Sequence, residues 1–273
     1  MSGAADRPSS SDTLVASLGY HDVTDDTTRS GFQRKGAAPY KLTTRSFRDH
    51  LDRIAAGGRS PALLGDFDLT RPGRHLLLTF DDGGKSALSI GEELCRRGWR
   101  GHFFITTGLI GQRTFLDAGE IRQLRSAGHF IGSHSHTHPD IYRDLEPARM
   151  LVEWRQSGDI LAQILGEPCR AAAVPGGDIS GAVLRSAGLS GFRYLFTSDP
   201  CLTPRLVGGC WVLGRFGVKV STTTQDIEEL LDFRGWTSKL LIRRLKGLAR
   251  HSMPSLYRLY VRHSTREWEA KSS

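Results

Sequence analysis

The chain has 273 residues, 38% of them hydrophobic and 24% charged, which suits one large α/β domain, or a domain with a tail, and the composition of a soluble globular protein. No apolar run reaches the roughly 18 residues that a membrane-spanning helix requires, so a spanning segment is excluded. The net charge of +8 is uneven: eight Lys/Arg and no acid fall between Lys239 and Arg266, the rest is near neutral, and this argues against nucleic acid as a partner.

Residues 1–12 are polar and Ser-rich and read as disordered. They lack the apolar core of a secretory signal, so the chain reads as cytoplasmic. Residues 14–23 read as a first strand ending in Tyr20-His21-Asp22-Val23, and 24–35 as a loop rich in Asp, Thr, Ser and Gly. Residues 44–56 place Phe47, Leu51, Ile54 and Ala55 close to helical spacing, and Gly57-Gly58 ends that helix.

From His75 onward strands and helices alternate. The expected strands are 75–80, 102–105, 130–131, 171–174, 194–197 and 211–213. The expected helices are 85–97, 117–127, 147–165, 180–187 and 224–231, with Gly98, Gly128 and Gly166 as stops and Pro147 at a first helical position. Such alternation predicts an α/β fold with a parallel sheet, and about seven repeats favour a distorted (β/α) barrel over an open sheet. The expected layout is a barrel over 13–235 and a basic amphipathic helical tail over 236–273.

The cysteines (Cys95, Cys169, Cys201 and Cys210) form no C-x-x-C pair. Cys201 and Cys210 could meet across a loop, but buried free thiols fit a cytosolic chain better.

Chemistry concentrates at the ends of two apolar runs. His75-Leu-Leu-Leu-Thr-Phe80 leads into Asp81-Asp82-Gly83, and Phe130-Ile131 leads into Gly132-Ser-His134-Ser-His-Thr-His138-Pro139. One carboxylate and two imidazoles can hold a divalent metal and leave positions open for water and an acyl oxygen, while the adjacent carboxylate stays free as a base. His134 and His138 are one helical turn apart, a spacing that lets two rings converge on one ion. Parallel α/β folds place active sites at these C-terminal strand ends.

Together, Thr79-Phe80-Asp81-Asp82-Gly83 and His134-Ser-x-x-His138-Pro resemble the polysaccharide deacetylase family, also called NodB-homology or carbohydrate esterase family 4. The resemblance spans roughly 20–216. It implies a distorted (β/α) barrel and removal of N- or O-linked acetyl groups from sugars. It further implies Asp82, His134 and His138 as ligands of a metal, usually zinc, with Asp81 as general base. An aromatic residue often stands at the place of His136, which is therefore assigned to packing.

Other family features are altered. Pro175-Gly176-Gly177 resembles a shortened third motif whose arginine would fall near Ala173; Arg170 is no obvious replacement. Gly176 can present a backbone N–H to a developing oxyanion, or the segment is a plain turn. A Leu-x-His motif, the usual general acid, is missing: Leu213-Gly-Arg215-Phe216 stands near its place, and Arg215 can stabilise charge but cannot donate a proton near neutral pH. His21 is the candidate acid, with a structural role the other reading. Asp199, in Thr197-Ser-Asp-Pro, is either a pocket residue or a turn starter.

The tail reads as two amphipathic helices with cationic outer faces, interrupted by Pro254, that either dock on anionic lipid or pack against the barrel. The expected function is metal-dependent deacetylation of a sugar in a polysaccharide or its precursor, in exopolysaccharide or cell-envelope metabolism. The rivals are hydrolysis of a non-sugar amide and a catalytically silent carbohydrate-binding role.

Overall fold

A computed structural model describes residues 13–252. The expectations for 1–12, and for the second tail helix beyond Pro254, lie outside the described residues. In chain order the elements are β1 (Thr13–Tyr20), β2 (Asp22–Val23), β3 (Lys41–Leu42), α1 (Thr44–Ala56), β4 (Gly73–Phe80), α2 (Ala87–Arg96), β5 (His102–Ile105), α3 (Ala118–Ser126), β6 (Phe130–Ser133) and α4 (Pro147–Leu165). They continue with β7 (Ala171–Ala173), α5 (Gly181–Leu189), β8 (Tyr194–Phe196), β9 (Arg205–Val207), β10 (Cys210–Leu213), β11 (Phe216–Gly217), α6 (Thr224–Leu231) and α7 (Trp236–Ser252).

Nine strands form one sheet in the order β11-β1-β4-β5-β6-β7-β8-β10-β9. All its pairs are parallel except β9 on β10. The sheet curls into a half-barrel: β11 and β9 are edges, and the gap is bridged by loop contacts such as Val15 N–H to the Leu202 carbonyl (2.8 Å). The first strand is shorter than expected. It breaks at His21, and β2 leaves the main sheet to pair with β3. The three-residue β9 and two-residue β11 were not expected; both are too short to show a periodicity.

Helix boundaries follow local chemistry. Thr43 caps α1 by accepting from Ser46 N–H, and Asp117 with Glu120 forms a capping box on α3. Pro147 opens α4, and Gly166 closes it in the left-handed conformation (φ 72°).

Alternation along the strands sorts side chains into two layers. Ala16, Leu18 and Tyr20 of β1, Leu76, Leu78 and Phe80 of β4, and Phe103 and Ile105 of β5 face the helices, packing with Phe47, Leu51, Ile90 and Leu94. Val15, Leu77, Phe104, Ala171, Ala173, Phe196 and Leu213 fill the concave side. Continuing that inward parity past the strand ends reaches His21, Asp81, His134 and Arg215. The fold therefore delivers these four residues to one place by register alone.

The four cysteines are free; Cys210 is buried, while Cys95, Cys169 and Cys201 are only half-buried, less enclosed than expected. Tail helix α7 also differs from expectation. Trp236 is buried, and Lys239 and Arg243 turn toward the body, where they meet Asp226 and Asp199. Leu241, Ile242 and Leu245 are exposed beside the exposed Arg244, so the solvent side of α7 is mixed apolar and cationic among the described residues where a cationic one was expected.

Gly214 sits where a Cβ would collide with the backbone carbonyls of Asp199 and Cys201. Gly214→Ala is expected to push the β10–β11 connection outward and destabilise the fold by about 1–3 kcal/mol, as overpacking does. Urea unfolding measures that loss, and unchanged stability would show that the connection is free to shift.

Candidate metal centre and active site

Asp81 and Asp82 follow β4 directly. Asp81 N–H bonds the Tyr20 carbonyl (3.0 Å), which keeps Asp81 in strand-like continuation with its side chain inward. Asp82 then takes a positive φ of 76°, and Gly83 follows at 78°. This reversal turns the second carboxylate back toward the concave side, so neighbouring residues line one pocket. A left-handed non-glycine residue costs on the order of 1–2 kcal/mol, and aspartate tolerates it better than most.

The His134–His138 segment shows the same backbone economy, with Ser135 at φ 64° and His138 at φ 54°. Three of the four positive-φ non-glycine residues among the described residues are therefore Asp82, Ser135 and His138, a concentration typical of functional sites. Ser135 Oγ accepts from His138 N–H (3.1 Å) and closes the turn that brings the second imidazole back beside the first.

Asp82, His134 and His138 form a cluster whose ligand atoms lie within 4.8 Å of one another. Asp82 Oδ1 is 3.4 Å from His134 Nε2 and 3.5 Å from His138 Nε2. Ligands about 2.1 Å from a tetrahedral centre stand about 3.4 Å apart, so these spacings suit a small divalent ion. Asp82 Oδ1 is also buried with no hydrogen-bond partner, a state that an ion would resolve. His134 Nδ1–H donates to the Ala173 carbonyl (2.9 Å), which leaves Nε2 with its lone pair directed at Asp82.

Electrostatics divide the ligands. Burial, reinforced by His134 and Arg34, outweighs the attraction of Asp82 and brings the His138 pKa down to about 3, so its ring is neutral. Burial works the same way on His134, but Asp81 and Asp82 outweigh it and raise its pKa. A proton and a metal ion thus compete for His134 Nε2. Burial would raise the Asp82 pKa; His134, His21 and His138 reverse this and hold it well below the usual carboxylate range.

Asp81 has a different partner. The Arg215 guanidinium grips it bidentately, Nη1 to Oδ1 at 2.6 Å and Nη2 to Oδ2 at 2.8 Å, with both side chains buried. Arg215 also donates to Thr79 Oγ1 (3.2 Å) and the Thr197 carbonyl (3.1 Å), and lies 5.8 Å from the Phe104 and Phe196 rings. Burial would raise the Asp81 pKa, but Arg215, with His134 and His21, lowers it and keeps the carboxylate ionised. Arg215 lines the cavity, and the structure adds a role that the sequence did not reveal: four hydrogen bonds tie its guanidinium to Asp81, Thr79 and Thr197.

A cavity of about 900 Å³ opens over these groups, lined among others by His21, Arg34, Tyr40, Gly176, Lys219 and Arg243. His21 sits at the β1–β2 break with its ring against Tyr40 (centroids 4.5 Å apart), and its Nδ1 is buried without a partner. Gly176 is exposed at the cavity wall, at φ 65°, with Pro175 buried beneath it. Asp199 is drawn away from the metal cluster: its carboxylate accepts from Arg243 Nε (2.7 Å), and its carbonyl accepts from Arg215 N–H (3.0 Å). That is the turn role rather than the pocket role. His136 stands outside the ligand cluster, with Nδ1 bonded to Thr107 Oγ1 (3.0 Å).

Two cations at the site were not anticipated. Arg34 pairs with Asp140 (2.9 Å), covers Phe32, and places Nη2 3.3 Å from His138 Nδ1. Arg243 of α7 binds the Gly177 carbonyl (3.0 Å) and Asp178 as well as Asp199, so the tail helix clamps the loop carrying Gly176. In sequence Arg34 is one charge in a polar loop and Arg243 one of eight in a basic run; neither spacing reveals its partner.

Comparison with known proteins agrees with this geometry. The family model described as polysaccharide deacetylase matches residues 68–195, the stretch holding Asp81, Asp82, His134 and His138. A polysaccharide deacetylase from Bacillus cereus superposes with a TM-score of 0.66 at 18% identity, covering 80% of this chain and 69% of its own. A Streptococcus pyogenes deacetylase, PplD, gives 0.65 at 19% identity, covering 81% and 99%. IcaB from Ammonifex degensii gives 0.65 at 21% identity, covering 80% and 97%. At these identities the likeness is one of fold. No curated protein sequence matches the chain. Over residues 68–195 the chain thus carries a sequence pattern similar to that of the polysaccharide deacetylases, and over about 80% of its length its half-barrel is similar to theirs.

Proposed function

We propose that the protein removes acetyl groups from N-acetylated (or O-acetylated) sugars of a polysaccharide or its precursor, using a divalent metal, zinc by the nature of the donor set, in exopolysaccharide or cell-envelope metabolism. The observation that carries this reading is the adjacency of the Asp82–His134–His138 cluster to the buried, ionised Asp81 within one cavity large enough for a sugar unit.

A metal held by Asp82, His134 and His138 supplies a Lewis acid for the acetyl carbonyl and an acidified water. The chain's residues do the rest. Asp81 accepts the proton of the attacking water; its two oxygens offer about four acceptor positions, so the bidentate grip of Arg215 leaves room for that proton. Gly176 N–H offers a donor to the oxyanion. His21, with its unpartnered Nδ1 in the same cavity, returns a proton to the leaving amine, or protonated Asp81 does so itself. A cytoplasmic site of action is part of the proposal, supported by four cysteines that stay free. The proposal also includes peripheral contact of α7 with anionic lipid, supported by exposed Leu241, Ile242 and Leu245 on a helix whose sequence holds basic residues and no acid.

Acetate release from N-acetylglucosamine oligosaccharides is the test. Release is expected with zinc and is expected to stop with chelator. Asp81→Asn should cut turnover by about 10²–10⁴ while metal stays bound. Release by Asp81→Asn at the wild-type rate would show that another group is the base. Metal bound without release would favour a non-sugar amide as substrate, or a silent site.

Arg215→Met strands a buried carboxylate and is expected to cost about 3–5 kcal/mol of stability, read by urea unfolding, along with acetate release. Full stability in that variant would mean that Asp81 finds another counter-charge. For the tail, Leu241→Ser/Leu245→Ser should weaken pelleting with anionic vesicles and leave acetate release from soluble oligosaccharides unchanged. Equal pelleting of variant and wild type would rule out docking by this face, as would burial of the face under residues 253–273.

A further inference from the structure

We infer that Glu153, on α4, is a positioning residue of the metal centre: it holds the loop between His134 and His138 in the shape that lets both imidazoles meet one ion. The inference rests on the metal reading of the Asp82–His134–His138 cluster. Glu153 is 1% exposed, in a helix face otherwise formed by Met150, Trp154, Ser157 and Leu161. A carboxylate among such residues requires dedicated partners.

Three of its donors come from the loop itself. Oε2 accepts from His136 N–H (3.0 Å) and Thr137 N–H (2.8 Å), and Oε1 accepts from Thr137 Oγ1 (2.8 Å). The only cation beside it among the described residues' ion pairs is Arg149, one helical turn earlier, 3.1 Å away and itself 54% exposed. The carboxylate is therefore directed at the two inner amides of the five-residue segment whose ends are the ligands.

Those amides need such an acceptor. The left-handed backbone at Ser135 and His138 turns the loop so tightly that the His136 and Thr137 N–H groups both point at α4 rather than at a neighbouring strand. Ser157, one helical turn after Glu153, receives Ser133 Oγ–H (2.7 Å) and so anchors the other side of the first ligand. On the outer side the loop carbonyls of Ser135 and His136 accept from Thr107 and Gly108 N–H. Without Glu153 the two inner amides lose a charged acceptor that no uncharged side chain of that size replaces in full. The loop then relaxes toward ordinary backbone, and the second imidazole moves off the shared position. Partners of this kind typically change metal affinity by about ten- to a hundredfold.

The experiment titrates Co(II) into the apo-protein and follows its visible absorption, with amide hydrogen exchange read in parallel. Glu153→Gln is expected to weaken Co(II) about ten- to a hundredfold and to speed exchange at His136 and Thr137. Thr137→Val, which removes one bond and keeps the carboxylate, is expected to lie between it and wild type and serves if Glu153→Gln fails to fold. Leu161→Ala, on the same buried helix face but away from the loop, should lower the melting temperature and leave Co(II) affinity unchanged.

Wild-type Co(II) affinity in both Glu153→Gln and Thr137→Val would overturn the inference, as would an equal loss in Leu161→Ala. If the wild-type protein takes up no Co(II), the metal reading fails and the proposed positioning of a metal centre falls with it. The exchange rates at His136 and Thr137 then show separately whether Glu153 shapes the loop.

Discussion

The ion pair between Asp81 and Arg215 is the constraint around which the site is organised. Both side chains are buried, Asp81 5% and Arg215 2% exposed, and both charges have left water at a cost of several kcal/mol each. Two parallel hydrogen bonds, with further acceptors at Thr79 and Thr197, offset that cost. The pair also ties the end of β4 to the connection between β10 and β11, across the concave side of a sheet whose edges never pair with each other. The carboxylate proposed as the base and a fold-closing strut are the same group, so its ionisation and the curvature of the sheet are linked.

Much of the architecture could be read from residue order because it depends on local signals. Alternation of apolar strands with helices bounded by Gly98, Gly128 and Gly166 marks the repeat, and α4 runs over the span expected from Pro147 and Gly166. The concentration of Asp81, Asp82, His134 and His138 after apolar runs also comes from local order, since strand parity carries those side chains inward. Where parity alone is insufficient, at Asp82 and His138, a positive φ completes the geometry.

What stayed hidden has a common physical cause: long-range pairing. Nothing near Arg215 in sequence points to Asp81, and its place beside the missing Leu-x-His motif suggested a substrate contact instead. Glu153 looks like any acid in a helix until the loop amides above it are seen. The short β9 and β11 make sense only as edges of a sheet assembled elsewhere. The tail shows the same effect. Counting charges suggested a cationic outer surface, whereas Asp226, Asp178 and Asp199 draw Lys239 and Arg243 inward and leave Leu241, Ile242 and Leu245 exposed beside Arg244.

The inward turn of α7 also makes the cavity depend on a helix remote in sequence from the residues at its floor. The cavity is walled by residues from His21 to Arg243, with Lys239, Ile242 and Arg243 contributed by the last described helix. Without α7 the strands and their loops leave an open flank beside Gly176. That flank is walled where Arg243 meets Gly177, Asp178 and Asp199. The cavity is therefore a composite of the sheet's strand ends and a helix more than a hundred residues further along the chain than Asp81 and His134.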